Sequence, residues 1–153
     1  MDKLEILFTK LNLEDDLRKY FKEGKLVKVK TSRKGQKWTI YLELKEILPP
    51  DIYSLFVDRL ENTFSDIQDI ELAIMPVKNY DEKLLVDYWP VCLKKLKCVS
   101  QVMVVFSDRA INVQGKTINI EAYNLVEKDI LNKCYNEILT LYKNYGFGKI
   151  NLN

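Results

Sequence analysis

Apolar positions in the first eleven residues, Leu4, Leu7, Phe8 and Leu11, recur at helical spacing. Asn12 before Leu13-Glu14-Asp15-Asp16 is an N-cap signal for a second short helix ending near Gly24. The period then changes to two. Val27, Val29 and Thr31 alternate with Lys28 and Lys30; after Ser32 to Gln36, the residues Trp38, Ile40, Leu42 and Leu44 alternate with Lys37, Thr39, Tyr41 and Glu43. This pattern predicts a β-hairpin turning around Gly35. Pro49-Pro50-Asp51 opens a helix with Ile52, Leu55, Phe56, Leu60 and Phe64 on one face, and Ile70, Leu72 and Ile74 alternate as a third strand that stops before Pro76.

After the short polar stretch 77–81 the same order begins again. Leu84, Leu85, Tyr88, Cys92, Leu93 and Leu96 form a helical stripe, with Pro90 inside it as a kink or break. Val102 to Phe106 is apolar throughout, and periodicity does not decide between strand and buried helix for so short a run. Ile111 and Val113, the turn Gln114-Gly115-Lys116, and Ile118 and Ile120 predict a second hairpin. A long helix follows from Leu125 through Ile130, Cys134, Ile138, Leu141 and Tyr145, with Gly146 as its C-cap before a last strand at Ile150 and Leu152. Gly35 and Gly115, Ile40 and Ile120, and Leu72 and Leu152 are each 80 residues apart, although identity between the halves is poor. The fold class read from this pattern is α+β, two tandem helix-strand-strand-helix-strand units over 1–79 and 80–153. The expected core is Trp38, Ile40, Leu42, Leu55, Phe56, Leu60, Ile118, Ile120, Ile138 and Leu141, each under its own unit's helix.

Composition narrows the chemistry. The 153 residues include 24 Lys+Arg and 22 Asp+Glu, a net charge of +2, so any electrostatic attraction must be local. There is no histidine, which removes the commonest general base, the Ser-His and Cys-His nucleophiles and most zinc sites. Cys92, Cys98 and Cys134 form no C-x-x-C pair and read as buried reduced thiols. No apolar run is long enough to span a bilayer, and the start Met1-Asp2-Lys3-Leu4-Glu5 lacks signal-peptide character, so a cytoplasmic protein is expected.

Asp69-Ile70-Glu71 imitates the Asp-x-Glu with which two-metal nucleases begin, yet the further acids and base of that chemistry are missing, and a solvated strand face carries the same pair. No catalytic residue, cofactor or metal site is therefore assigned. The basic hairpin is the more informative feature. Lys25, Lys28, Lys30, Arg33, Lys34 and Lys37, with Tyr41 on the polar side of the partner strand, could track a phosphate backbone and stack one base. Lysines on a strand also discourage edge-to-edge aggregation without any ligand. The order of elements resembles KH domains, but no two of the five glycines have the Gly-x-x-Gly spacing of the KH clamp.

The run Lys37-Trp38-Thr39-Ile40-Tyr41-Leu42-Glu43-Leu44, followed by Ile47-Leu48-Pro49, Tyr53, Phe56, Arg59-Leu60, Phe64 and Ile67, resembles the N-terminal region of the PolC-type replicative DNA polymerase III alpha chain of low-GC Gram-positive bacteria. Asp87-Tyr88-Trp89 with Cys92, Gly115-Lys116 and Tyr145-Gly146-Phe147 continue the resemblance in the same order, with Pro90 as a departure. It implies a truncated KH-like unit similar to the C-terminal domain of the clamp-loader tau subunit, in a chain from which the family's exonuclease and polymerase domains are absent. The implied function is non-catalytic protein docking in the replisome, with tau and the rest of the polymerase chain as partners and no membrane. Tyr88 and Trp89 are the partner-binding candidates, with core packing the expected fate of Trp89. The alternative is an accessory single-stranded DNA-binding module built on the hairpin.

Overall fold

A computed structural model describes residues 3–32, 34, 36–98 and 102–153. The chain opens with α1 (Lys3–Leu11), whose Leu4, Leu7, Phe8 and Leu11 are buried, and continues through α2 (Asp15–Arg18) into a short 3-10 turn, Lys19–Phe21. The cap expected at Asn12 falls instead at Glu14; Asn12 takes a left-handed φ of 52° that ends α1.

The first sheet is built as the alternation dictates. β1 (Lys25–Thr31) and β2 (Lys37–Glu43) form an antiparallel hairpin, with the turn residues Arg33 and Gly35 outside the described residues. α3 (Pro50–Thr63) then crosses back so that β3 (Asp69–Ile74) pairs parallel to β2, giving the order β1-β2-β3. Ile40, Leu42, Ile70, Leu72 and Ile74 are buried beneath the helices. α3 buries Tyr53, Phe56, Val57 and Leu60, so Leu55, expected in the core, is exposed. The face is rotated because the Tyr53 hydroxyl donates to the Leu72 carbonyl at 2.6 Å, which lets an amphipathic ring enter the core. Trp38 is half-buried at the rim, its ring 5.2 Å from that of Phe64, and Leu141 is half-buried too.

In the second half Pro90 splits the predicted stripe into α4 (Lys83–Asp87) and α5 (Trp89–Lys95), lying in the first turn of α5 where its missing N–H costs nothing. The ambiguous run is a helix, α6 (Val102–Phe106). β4 (Asn112–Gln114) and β5 (Thr117–Asn119) form the second hairpin, and β6 (Asn151–Leu152) follows α7 (Leu125–Tyr142) and a π-type turn, Lys143–Phe147. The order β4-β5-β6 repeats the antiparallel-then-parallel topology of the first sheet. Ile40 pairs with Leu72, but the partner of Leu152 is Ile118 and not Ile120. The register has slipped by two residues relative to the 80-residue spacing, an even shift that keeps apolar side chains inward.

One apolar cluster runs through both halves. Its centre is aromatic: Tyr88 stacks on Tyr145 at 4.5 Å, while Tyr53, Tyr142 and Phe147 meet these two rings mostly edge-on. Gly146, at φ 103°, lies close against this junction: a Cβ there would sit 3.0 Å from Ile74 Cγ2 and 3.1 Å from Ile47 Cδ1, so that these side chains would have to give way. Its carbonyl accepts from the Val77 N–H at 2.8 Å. Cys98 and Cys134 are joined by a disulfide that ties the segment after α5 to α7, correcting the expectation of three reduced thiols. Spacing could not reveal this because the two meet only through tertiary packing. Cys92 remains a buried thiol whose pKa burial pushes up.

Candidate interaction surfaces

The hairpin cations divide into distinct environments. Lys28 and Lys30 pair across the ladder with Tyr41 and Thr39, and their ammonium groups lie 4.9 and 5.8 Å from the Tyr41 ring centroid. The ring proposed as a base-stacking platform is thus already engaged by two cations. Lys37 pairs with Glu71 at 3.5 Å, which also occupies one acid of the Asp-x-Glu. Lys25 and Lys34 are exposed, and Arg33 lies outside the described residues. Among the described residues, Lys25, Lys28, Lys30 and Lys34 meet no carboxylate at ion-pair distance.

Tyr88 and Trp89, read as partly exposed partner contacts, are in the core; the Tyr88 hydroxyl donates to the Leu48 carbonyl at 2.5 Å. The apolar stripe through Tyr88 accounts for its burial, and its bond to Leu48 and contact with Tyr53 tie it to the other half. A groove of about 710 Å³ between α3, β3 and α7 carries Glu61, Glu71, Lys95, Lys97 and Glu137. Its acids already have partners: Lys95 lies 3.9 Å from Glu61, Glu71 pairs with Lys37, and a Glu137 carboxylate oxygen accepts from the main-chain N–H groups of Lys97 and Cys98 at 2.8 and 3.1 Å. Among the described residues no group of three His, Cys, Asp or Glu side chains is placed to hold a metal ion.

The surface that sequence reading missed is at the start of α7. Tyr123, Leu125 and Val126 are 69%, 83% and 70% exposed, the three most exposed large apolar side chains among the described residues. The backbone that carries them is held by a network of polar contacts. Asn124 caps the helix by accepting from the Glu127 N–H at 2.9 Å, and the Glu127 carboxylate accepts from the Tyr123 N–H at 2.9 Å. Arg109 bonds the same carboxylate at 2.5 and 3.3 Å and donates to the Glu121 carbonyl at 3.0 Å; its guanidinium lies 4.0 Å from the Tyr123 ring centroid and 4.9 Å from that of Phe106. These contacts hold the Glu127 carboxyl below its usual range, chiefly through the Arg109 hydrogen bond, and raise the guanidinium's pKa. The signal was present as Asn124-x-x-Glu127 bracketing two apolar residues of a first turn.

The sequence family described as DNA polymerase III polC-type N-terminus I matches residues 3–74. DNA polymerase III PolC-type of Bacillus subtilis (strain 168) is 23% identical over 97% of the chain, and those of Halalkalibacterium halodurans and Pediococcus pentosaceus are each 26% identical over 99%. Residues 3–74 match the PolC-type N-terminal family, and the chain as a whole is similar to these PolC-type polymerases. It spans about 11% of the length of each of these relatives. The PolC-type match therefore concerns the hairpin unit directly through the family and the second unit through the relatives. No solved structure gives a significant match. No helix of the described residues is long and apolar enough to cross a membrane.

Proposed function

We propose that this chain is a non-catalytic accessory domain at the N-terminus of a PolC-type replicative polymerase, working in the cytoplasm as a protein-docking module of the replisome. The observation that carries this reading is the patch Tyr123, Leu125 and Val126. These apolar side chains are left in water on a backbone fixed by a cap, with the Tyr123 ring stacked under Arg109, and they match the aromatic and apolar anchors of protein interfaces. The clamp-loader tau subunit and the remainder of the polymerase chain are the proposed partners.

The lysine row of β1 favours the second reading, an accessory module for single-stranded DNA, but the engagement of Tyr41 by Lys28 and Lys30 weighs against base stacking. Titrating the labelled chain with purified tau, and separately with oligo-dT across a salt series, tests both. Docking predicts saturable tau binding that Leu125→Asp abolishes, and DNA binding that is weak with a shallow salt dependence. Micromolar DNA affinity with a log-log slope near −3, about −0.7 for each of four phosphate contacts, would transfer the function to the hairpin.

A further inference from the structure

We infer that the free edge of β1 is a second docking surface, one that takes an extended segment alternating acidic and apolar residues as a fourth strand of the first sheet. The inference rests on the docking reading but uses a different face of the molecule. β1 is the outermost strand in the order β1-β2-β3, so among the described residues one edge of its backbone has no partner strand. Beyond the irregularity between Leu26 and Lys28 the strand is open to solvent on both faces. Apart from Leu26 every residue from Lys25 to Thr31 is exposed, including Val27 and Val29 at 41% and 43%. The pleat separates their chemistry: Lys28 and Lys30 stand opposite Tyr41 and Thr39 on one face, Val29 and Thr31 opposite Ile40 and Trp38 on the other.

A strand laid antiparallel or parallel on this edge would gain main-chain hydrogen bonds, place every second side chain beside the lysines and the intervening ones beside Val29. The charges select the occupant. Lys28 and Lys30 meet no carboxylate at ion-pair distance among the described residues, so acidic side chains would supply the missing counter-charges. A second copy of β1 would instead bring lysines against lysines, which is how basic edges resist self-association while remaining open to an acidic strand. Edge-guarding and acidic recognition are thus two consequences of one arrangement.

The test is fluorescence anisotropy of the 153-residue chain with a labelled heptapeptide alternating Glu and Val. Three further ligands accompany it: an isomer with the same residues in two blocks, a Lys-Val analogue, and oligo-dT. The alternating Glu peptide should bind at least about tenfold tighter than the blocked isomer, since charge is equal and only strand register differs. Lys28→Glu with Lys30→Glu should lose it, retain the wild-type melting curve, and bind the Lys-Val analogue instead. Leu125→Asp should leave peptide binding unchanged while abolishing tau binding, so the two docking surfaces fail or succeed separately. Equal affinity for both isomers, absence of peptide binding, or charge reversal without effect would overturn the inference; oligo-dT that binds tighter than the peptide and displaces it would assign the edge to nucleic acid.

Discussion

Individual tyrosines show how the junction is held. Tyr53, Tyr88 and Tyr142 each donate a hydroxyl to a main-chain carbonyl, of Leu72, Leu48 and Leu85 respectively, whereas the Tyr145 hydroxyl is buried without a partner. Burial raises the pKa of all four. The substitutions Tyr88→Phe and Tyr145→Phe should therefore diverge. The first strips a buried carbonyl of its donor and should cost about 1 to 3 kcal/mol, while the second removes only a desolvated hydroxyl and should be neutral or stabilising in urea denaturation. Equal losses would mean that Tyr145 has a partner after all. Glu127 gives a pH dependence with a definite sign. Its carboxyl is held below the ordinary value of 4.5, first by the Arg109 hydrogen bond and then by the Tyr123 N–H, so the native state binds the proton less readily than the unfolded chain. That stabilisation is complete above the ordinary value and disappears as pH falls through the lowered one. Melting temperatures of wild type and Glu127→Gln should differ by a constant amount near neutrality and converge on acidification; parallel curves down to acid pH would refute the assignment.

Elements were legible where one period dominates. The first hairpin, α3 and β3 follow from alternation and helical spacing within the residues themselves, and the second unit repeats them. What escaped are properties set by the neighbour an element meets. α3 turns Tyr53 inward, where its hydroxyl meets the Leu72 carbonyl, and leaves Leu55 outside; Tyr88 reaches across to the Leu48 carbonyl and the Tyr53 ring of the other half. Val102 to Phe106 becomes helix without any local signal that excludes strand. The turn after α7 was read as an ordinary glycine cap, yet Gly146 sits in a π-type turn wedged between Ile47 and Ile74. Gly146→Ala should destabilise for two reasons, the left-handed φ and the close approach. Gly115→Ala has the first alone, at φ 62° in open space. The Gly146 variant should lose more than the roughly 1 to 2 kcal/mol expected for the conformational term at Gly115. A thermal scan showing similar losses would remove Gly146 from its role as the spacer between the halves.

At the scale of the whole molecule, duplicated topology and shared packing pull in opposite directions. Two sheets of the same strand order suggest two bodies joined near residue 79, but the aromatic cluster, the Val77 to Gly146 hydrogen bond and the Tyr88 to Leu48 bond all cross that boundary. Residues 1–79 without the rest would leave Tyr53, Leu48 and Ile74 facing water, and the lost burial of such side chains is about 1.5 to 3 kcal/mol each. Independent folding of either half is thereby disfavoured. The sequence itself supplies the probes, since its two tryptophans, Trp38 and Trp89, lie one in each unit. Single-tryptophan variants, Trp89→Phe and Trp38→Phe, should each report one urea transition. Each should coincide with the far-ultraviolet dichroism of the same protein, because a shared core makes unfolding of one unit expose the other. Transitions at separate midpoints, with the Trp38 signal changing while half the dichroism remains, would show that the halves are two domains in contact.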